Sequence, residues 1–283
     1  MKIILSRKGF DSTSGGCPSP ILPEGTLLSL PIPDDITDIK YSDLEIGTKT
    51  YFEVLVDLSK CCIQLENEKI PLISNPTCHF DPDIRKTTCK RSSNWKGLFG
   101  QTGAAQTHLS NQGVSVGDIF LFFGWFRNTI NQNGKLEYDP KDKHGRHIIY
   151  GFLEVGEIID LNKEDKLKNW MKYHPHNEYK KKGIKNNFLY VSSDHLSLNN
   201  SLNGYGTFSY NEELVLTKEN ETRTKWNLPD LFRDCSISYH KKTNWKEGYF
   251  RSVSRGQEFV VSEDSKVTKW AKDLIENNIE KHD

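Results

Sequence analysis

The sequence predicts an α+β fold that is rich in strands through its middle. Two observations carry this prediction: many short apolar runs are bounded by Gly, Pro, Asn and Asp, and only a few segments have helical spacing. The most informative stretch is residues 95–160, where two apolar segments, predicted to be buried strands, are separated by a long polar segment. This stretch predicts a small β-barrel with a pocket at its mouth, elaborated by N-terminal strands and loops and by C-terminal helices.

The strands are predicted from apolar runs next to turn residues. A Gly117-Asp118 turn leads into the central strand, and the longest strand is expected to bend near Gly156. Residues 128–146 are rich in Asn, Lys and Asp and are predicted to form a loop, whereas Tyr51–Leu58 fits either a strand or a short helix. The predicted strands are residues 2–6, Ile119–Phe123, His147–Asp160 and 188–191.

Three segments are predicted to be helices. Ala104–Asn111 is expected to end at Gly113 in a C-cap role. Residues 163–172 place their apolar side chains on one side, and Ser265–Ile279 has the spacing of a terminal helix that faces the core. No linker rich in Pro, Gly or Ser follows residue 160, so a single domain over residues 1–283 is expected, with its barrel core at about 95–160.

Composition excludes several classes of function. Lys plus Arg equals Asp plus Glu, at 38 each, so no global basic field attracts nucleic acid, and a local patch or a single nucleotide or base must serve instead. No run of 18 apolar residues exists and the N-terminus is too soon charged for a signal peptide, so a cytoplasmic protein without membrane contact is expected. The six cysteines form no C-x-x-C pair, which disfavours zinc and fits reduced thiols.

His79-Phe80-Asp81 forms an H-x-D motif that suits a metal ion. On an extended stretch, residues i and i+2 face the same side, so the imidazole and the carboxylate could reach one ion. A third ligand from a distant His would complete a two-histidine, one-carboxylate site for Fe(II) or another divalent metal. Alternatively, the Asp-Pro-Asp turn simply caps backbone N–H groups. The candidates for the third ligand, with His108 preferred, are His108, His147, His174 and His176.

A polar segment after residue 100 could read the edge of a base. Amides offer paired donors and acceptors to a base, although a helix surface that faces water looks similar. In this interpretation His108 also polarises the base. The side chains concerned are Gln101, Gln106, His108, Asn111 and Gln112.

Two further groups complete the candidate site. Trp95, Trp125 and Arg127 could form a stacking pocket for a base, although core packing accounts for at least one tryptophan. Just after the first strand, basic side chains could hold a phosphate while Asp11 acts as a base. The residues of that second group are Arg7, Lys8, Asp11 and Ser12.

Two resemblances follow from longer motifs. W-K-G at 95–97, V-G-D-I-F-L-F-F at 116–123 and I-I-Y-G-F-L-E-V-G-E-I-I-D at 148–160 resemble the PUA-like superfamily, especially its EVE, YTH and ASCH branches. That resemblance implies a compact pseudo-barrel that binds a modified base in an aromatic-lined pocket.

The second resemblance covers more of the chain. The opening K-I-I-L-S-R-K-G-F-D-S, together with H-F-D-P-D-I, G-Q-T-G-A-A-Q-T-H-L-S-N-Q-G and G-D-I-F-L-F-F-G-W-F-R, resembles the third nucleotide modification associated domain family. The resemblance implies a role in systems that modify bases in nucleic acid, in phages and bacteria. Other proteins of such a system would be its partners.

Three functions remain open from the sequence. The leading hypothesis is an enzyme, or catalytic partner, that acts on a nucleotide or on a base in DNA. It uses ionisable groups from three polar blocks at 7–12, 79–83 and 101–112. The second is a reader that binds a modified base without changing it. The third is a non-haem iron oxygenase whose substrate is not a nucleotide.

Overall fold

The computed structural model describes residues 1–59, 62–164, 166–254 and 256–280. Within these ranges the chain forms seventeen strands and four α-helices. The strands are β1 (Ile3–Arg7), β2 (Ser14–Gly15), β3 (Ser19–Ile21), β4 (Glu45–Ile46), β5 (Lys49–Thr50), β6 (Cys62–Leu65), β7 (Glu68–Pro71), β8 (Leu98–Gln101), β9 (Ile119–Gln132), β10 (Lys135–Tyr138), β11 (Arg146–Asp160), β12 (Phe188–Ser192), β13 (Tyr205–Thr207), β14 (Lys225–Trp226), β15 (Trp245–Lys246), β16 (Tyr249–Arg251) and β17 (Glu258–Val261). The helices are α1 (Tyr51–Leu58), α2 (Gly103–Asn111), α3 (Pro175–Lys181) and α4 (Ser265–Asn278).

The main sheet is built around the long antiparallel pair β9 and β11. Its strands follow the order β17-β1-β9-β11-β12-β8, and β3, β10 and β13 pair at its margins. β1 lies parallel to β9 and antiparallel to β17, so segments from both ends of the chain meet in this sheet. The mixture of sheet and separate helices confirms the predicted α+β class.

The core of the sheet consists of large aromatic side chains from neighbouring strands. The ring of Phe99 lies 4.9 Å from that of Phe120 and 5.2 Å from that of Phe122, between centroids. All three are fully buried. Each aromatic ring buries about 150–250 Å², so this cluster contributes much of the hydrophobic stabilisation of the sheet.

The strand predictions are largely confirmed, with one clear error. The register of β11 shifts between Val155 and Glu157, as the predicted bend near Gly156 requires. The predicted loop at 128–146 is wrong over much of its length, because β9 continues to Gln132 and pairs with β10. The turn between them is Asn133-Gly134, whose positive φ angles of 54° and 81° fit a tight hairpin.

The helices also differ from the prediction at one place. α2 and α4 lie where they were predicted, and Tyr51–Leu58 is the helical alternative, begun by a Thr50–Glu53 capping box. The helix predicted at 163–172 is wrong, since among its described residues only Asn169–Met171 form a short 3-10 turn. The helix begins instead at Pro175, a residue that suits the first helical position.

The expected pseudo-barrel does not close. β17 and β8 are the two end strands of the sheet, and no strand pairing joins them in the part of the chain that the structure describes. The outer edge of β8 is occupied by the segment around Asp83, through the bridge between Asp83 and Leu98. That edge carries the H-x-D motif. No described helix has both the length and the apolar character needed to cross a membrane.

Candidate metal centre

The H-x-D segment is fixed against the edge of β8 by backbone hydrogen bonds. Asp83 and Leu98 exchange two N–H to C=O bonds of 2.8 Å, and Gly100 N donates to Asp81 Oδ1 at 2.8 Å. His79 Nε2 lies 3.8 Å from Asp81 Oδ2. The predicted approach of this imidazole to this carboxylate is therefore present, and both side chains are mostly buried.

A second imidazole reaches the same point from α3. His176 Nε2 lies 3.9 Å from Asp81 Oδ2, and one ligand atom from each of His79, Asp81 and His176 lies within 4.8 Å of the others. Only glycine fits at position 100, because a Cβ there would lie 2.1 Å from His176 Cδ2. The sequence placed His176 among four candidates for this position, and the preferred candidate, His108, lies elsewhere.

The second ring nitrogens of the two histidines are held by acceptors. His79 Nδ1 lies 3.0 Å from Asp34 Oδ2, and His176 Nδ1 lies 2.6 Å from Asn187 Oδ1. Asn187 Nδ2 donates to the His176 carbonyl at 2.8 Å, which fixes Oδ1 as the acceptor. In both rings Nδ1 therefore donates to its acceptor, and Nε2 is directed towards Asp81. Metal-binding histidines are usually oriented by such partners.

The protonation of the cluster follows from its burial. Burial lowers the pKa of His176 to about 3, so the ring is neutral near pH 7. Burial by itself would raise the pKa of Asp81. Contact with His174 and the other histidines has the opposite effect and outweighs it, so the pKa of Asp81 is lowered to about 2. The Nε2 atoms of His79 and His176 and a carboxylate oxygen of Asp81 converge on one point. This set of donor atoms is complementary to a divalent cation.

His174 orients the carboxylate. Its Nδ1 accepts from His176 N at 3.4 Å as the N-cap of α3, so its proton resides on Nε2. His174 Nε2 lies 3.2 Å from Asp81 Oδ1, an ion-pair distance without the alignment of a full hydrogen bond. Together with Gly100 N it draws Oδ1 away and leaves Oδ2 for an ion. The rings of His174 and His176 lie 5.5 Å apart between centroids.

A buried ion pair anchors the residues that flank the cluster. Arg91 donates to both carboxylate oxygens of Asp83 at 2.8 and 2.5 Å, and Tyr173 Oη also donates to Asp83. Trp95 Nε1 donates to Tyr173 Oη at 2.8 Å, and Arg91 covers the indole at 4.3 Å. Asp83 is two residues from Asp81, and Tyr173 precedes His174. Trp95, predicted to stack a base, is buried in this network instead.

Two volumes are lined by residues of the H-x-D segment. A cavity of about 30 Å³, enough for a water molecule, is lined in part by Asp81, Arg85 and Tyr150. A groove of about 800 Å³ is lined in part by Phe80 and Tyr173, which neighbour the cluster residues in the chain. Phe80 lies between the two volumes.

Two predicted binding residues meet next to the metal cluster. Lys8 Nζ lies 2.8 Å from Glu258 Oε1, and Gln101 Nε2 donates to the same oxygen at 2.7 Å. Gln101 follows Gly100, so this group is one residue along β8 from the cluster. Glu258 is fully buried and its Oε2 has no hydrogen-bond partner among the described residues. The sequence analysis missed Glu258, because nothing in its local sequence marks it.

The other residues of the N-terminal block serve the turn that follows β1. Asp11 Oδ1 accepts from Thr13 N and Ser14 N, at 2.7 and 2.8 Å, so its carboxylate caps a turn. Ser12 is exposed. Arg7 turns towards the C-terminal part of the chain and donates to the carbonyls of Ser254 and Val253.

The third predicted block does not reach the metal cluster. His108 Nε2 lies 2.9 Å from Ser238 Oγ, and its ring stacks on Tyr239 at 4.1 Å between centroids. His108 therefore lies outside the cluster, and His176 occupies the third position that was expected for it. Asn111 and Gln112 are exposed at the end of α2.

The aromatic and basic pair on β9 lies apart from the cluster as well. Arg223 covers Trp125, with 4.0 Å from its guanidinium carbon to the ring centroid. Arg127 donates to the carbonyls of Asp139 and Asp142 and packs on Tyr138. The structure thus places Arg127 in a loop-supporting role.

Comparison with known families gives one match. The model of a family described as nucleotide modification associated domain 3 matches residues 2–262. The chain belongs to this family. No curated protein and no solved structure matches it. Every residue of the candidate metal centre lies inside the matched range.

Membership of the nucleotide modification associated domain 3 family confirms the longer of the two resemblances. It gives the chain a role in a nucleotide-modification system, without specifying the reaction. The PUA-like resemblance is not confirmed, and the main sheet is open over the described residues.

Proposed function

We propose that the chain is a metal-dependent enzyme that modifies a nucleotide, or a base in nucleic acid, in phage and bacterial DNA-modification systems. One observation carries the proposal: the Nε2 atoms of His79 and His176 converge with Asp81 Oδ2 in a buried cluster. Membership of a nucleotide-modification family supports a nucleotide or nucleic acid as the substrate class. The ion is Fe(II) or another divalent metal of similar ligand preference.

The chemistry of the donor set supports this role. Two imidazoles and one carboxylate occupy one side of an ion and leave further positions to water, substrate or a cosubstrate. A site with open coordination positions is typical of catalytic rather than structural metals. When bound, the ion would act as a Lewis acid or as a redox centre for an oxidative modification of the base.

The protein residues supply orientation in this proposal. Asp34 and Asn187 hold the proton of each imidazole on Nδ1. His174 and Gly100 N hold Asp81 Oδ1, so that Oδ2 faces the ion. Losing such outer partners typically weakens metal binding or activity about 10- to 100-fold.

Access to the centre determines which form of substrate fits. The side chain of His79 is the least buried of the cluster, so the substrate approaches from its side. A base inside a duplex would have to be flipped out of the helix to reach this side chain. Asp11 has no part in this proposal, because its carboxylate caps a turn.

The two alternatives have less support. A reader of modified bases would need open aromatic faces, but Trp95 is buried beneath Arg91 and Arg223 covers a face of Trp125. An oxygenase acting on a substrate that is not a nucleotide would share the metal centre, but it would not account for the family to which the chain belongs.

Metal content of the purified protein tests the proposal. We expect about one transition-metal ion per chain in wild type after anaerobic incubation with Fe(II), measured by elemental analysis after desalting. His176→Ala and His79→Ala should lose the ion. His108→Ala is the matched control and should retain it, because His108 contacts Ser238 and Tyr239. Metal-free wild type, or full retention by His176→Ala, would overturn the metal centre.

A further inference from the structure

Arg7 and Arg223 lie side by side on one face of β9. The guanidinium carbon of Arg7 is 5.8 Å from the ring centroid of Phe123, and that of Arg223 is 4.0 Å from the ring centroid of Trp125. Phe123 and Trp125 are two residues apart on one strand, so their rings share a face and are about 7 Å apart. Burial lowers the pKa of Arg7, and so does the charge of Arg223, as expected for two guanidinium groups that lie near each other.

The positive charge of this pair is not neutralised. Neither arginine forms an ion pair with a described residue. The charge of Asp11 acts on both arginines and raises their pKa values. Burial lowers these pKa values by more, so both are lowered overall. Since one carboxylate faces two guanidinium groups, the pair retains a net positive charge.

Unused hydrogen-bond donors point in the same direction. Arg7 donates through both terminal nitrogens to Ser254 O and Val253 O, at 2.8 and 3.1 Å, but its buried Nε has no partner in the described part of the chain. The Arg223 guanidinium makes no hydrogen bond to any described residue, and its contact is the stack on Trp125. A half-buried guanidinium with free donors is complementary to an anion.

The floor beneath the pair adds no negative charge. His147 pairs with Trp125 in the register of β9 and β11 and is buried. Its Nδ1 accepts from Trp226 Nε1 at 3.2 Å, and burial followed by the charges of Arg7 and Arg223 lowers its pKa, so it stays neutral. An anion that binds above would therefore meet cationic and aromatic groups without a buried carboxylate.

We propose that Arg7 and Arg223 bind a phosphate group, with Trp125 as the platform that holds Arg223. Guanidinium groups match phosphate bidentately, and an arginine stacked on an aromatic ring is pre-oriented to do so. That the phosphate belongs to a nucleotide or to a nucleic-acid strand rests on the proposed function. Arg223, the second cation of this site, replaces Lys8, whose charge is engaged by Glu258.

The site is separate from the metal centre but connected to it. Neighbouring side chains on β1 point to opposite faces, so Arg7 and Lys8 lie on opposite sides of the sheet near its edge. Lys8 reaches Gln101 through Glu258, and Gln101 follows Gly100 of the metal centre. Because the phosphate site and the metal centre share no residue, phosphate binding should need no metal. The two proposals can therefore be tested separately.

Calorimetric titration of metal-free wild type and Arg223→Gln tests this site. The ligands are inorganic phosphate, a set of deoxynucleoside monophosphates and a short single-stranded oligodeoxynucleotide. We expect wild type to bind the nucleotides and Arg223→Gln to bind them about 10- to 100-fold more weakly, which is the usual effect of losing a charge-assisted hydrogen bond. Tighter binding of the oligonucleotide with a steep salt dependence would identify a strand as the source of the phosphate, and equal binding would identify a free nucleotide.

The chain offers a matched control. Arg233 stacks on Trp245 at 4.5 Å, as Arg223 does on Trp125, but it is paired with Asp230 at 2.7 Å. Arg233→Gln should bind all three ligands as wild type does. Because the Arg223 guanidinium makes no hydrogen bond to a described residue and loses only its stack on Trp125, its substitution should lower the melting temperature by no more than a few degrees.

A second readout is local to the site. Trp125 Nε1 donates to His144 O at 2.9 Å, and its NMR signal, assigned with Trp125→Phe, should shift as phosphate is added to wild type but not to Arg223→Gln. His176→Ala should keep phosphate binding, and Arg223→Gln should keep its metal. No binding of any ligand by wild type, or equal binding by Arg223→Gln, would overturn the phosphate site and leave the metal result standing.

Discussion

Gly100→Ala is the sharpest test of how the third ligand is placed. A methyl group at this position would lie 2.1 Å from Cδ2 and 2.4 Å from Nε2 of His176. Carbon atoms in contact are normally about 3.5–4.0 Å apart, so the imidazole would have to move by roughly 1 Å or more. Gly100 does not have a positive φ, so alanine itself causes no backbone strain. The perturbation thus acts on the ring that carries the ligand atom.

The expected effect is large on metal affinity and moderate on stability. Displacement of a ligand by about 1 Å should weaken metal binding at least as much as the loss of an outer partner, about 10- to 100-fold. Overpacking of a buried site typically costs about 1–3 kcal/mol in the free energy of unfolding. Metal affinity is measured by competition with a chromogenic chelator, and stability by urea unfolding of the metal-free protein.

Gly206→Ala is the control for this experiment. Its added methyl group would contact Phe152 and Ile279 at 3.2–3.3 Å, and it touches no member of the metal centre. It should therefore cost stability without changing metal affinity. Wild-type metal affinity in Gly100→Ala, with the predicted loss of stability present, would refute the assignment of His176 Nε2 as a ligand.

Two further predictions concern the support of the site and the dependence of stability on pH. Arg91→Met leaves the buried carboxylate of Asp83 without its ion-pair partner and should lower the free energy of unfolding by about 3–5 kcal/mol, measured in urea, while the exposed Lys269→Met should change it by less than about 1 kcal/mol. Burial, together with the charges of Arg7 and Arg223, lowers the pKa of His147 in the folded chain. In the unfolded chain His147 has its ordinary pKa of about 6.5, so below that pH the unfolded chain binds a proton that the folded chain does not. Stability should therefore fall as the pH drops below about 6.5, by up to about 1.4 kcal/mol per pH unit from this group, and His147→Gln should give a shallower slope in denaturation series between pH 7 and pH 5. An unchanged slope would contradict the neutral state assigned to His147.

The H-x-D motif shows which part of the candidate metal centre can be predicted from local sequence. The spacing of H-x-D places His79 and Asp81 near each other whatever the rest of the fold does, and the structure has them 3.8 Å apart. The third member of the cluster, His176, lies almost a hundred residues further along the chain. Four histidines were candidates by sequence, and the preferred one, His108, lies outside the cluster. The choice depends on the packing of α3 against β8, where Gly100 makes room for a ring.

The sequence analysis mispredicted two segments because it gave more weight to overall composition and apolar spacing than to short turn and cap signals. The polar residues between 128 and 146 suggested a loop, but Asn133-Gly134 is a strong hairpin signal in the same stretch. The helix predicted at 163–172 had apolar spacing, yet the helix starts only at Pro175. Proline at the first helical position with a histidine cap before it was the better signal.

The sequence by itself determined the features that depend on residues close together in the chain. These are the α+β class, the central strands, helices α2 and α4, the pairing of His79 with Asp81, and membership of a nucleotide-modification family. Local periodicity and contiguous motifs are enough to specify them.

Only the tertiary structure decided which distant side chains meet. Asp34 and Asn187 orient the imidazoles, Glu258 joins Lys8 to Gln101, and Arg223 comes to lie beside Arg7. None of these residues carries a local signal, because an isolated Asp, Asn, Glu or Arg is usually a solvated surface residue. Their roles arise from sheet register and burial, which bring separate segments within hydrogen-bonding or stacking distance and remove the water that would otherwise solvate them.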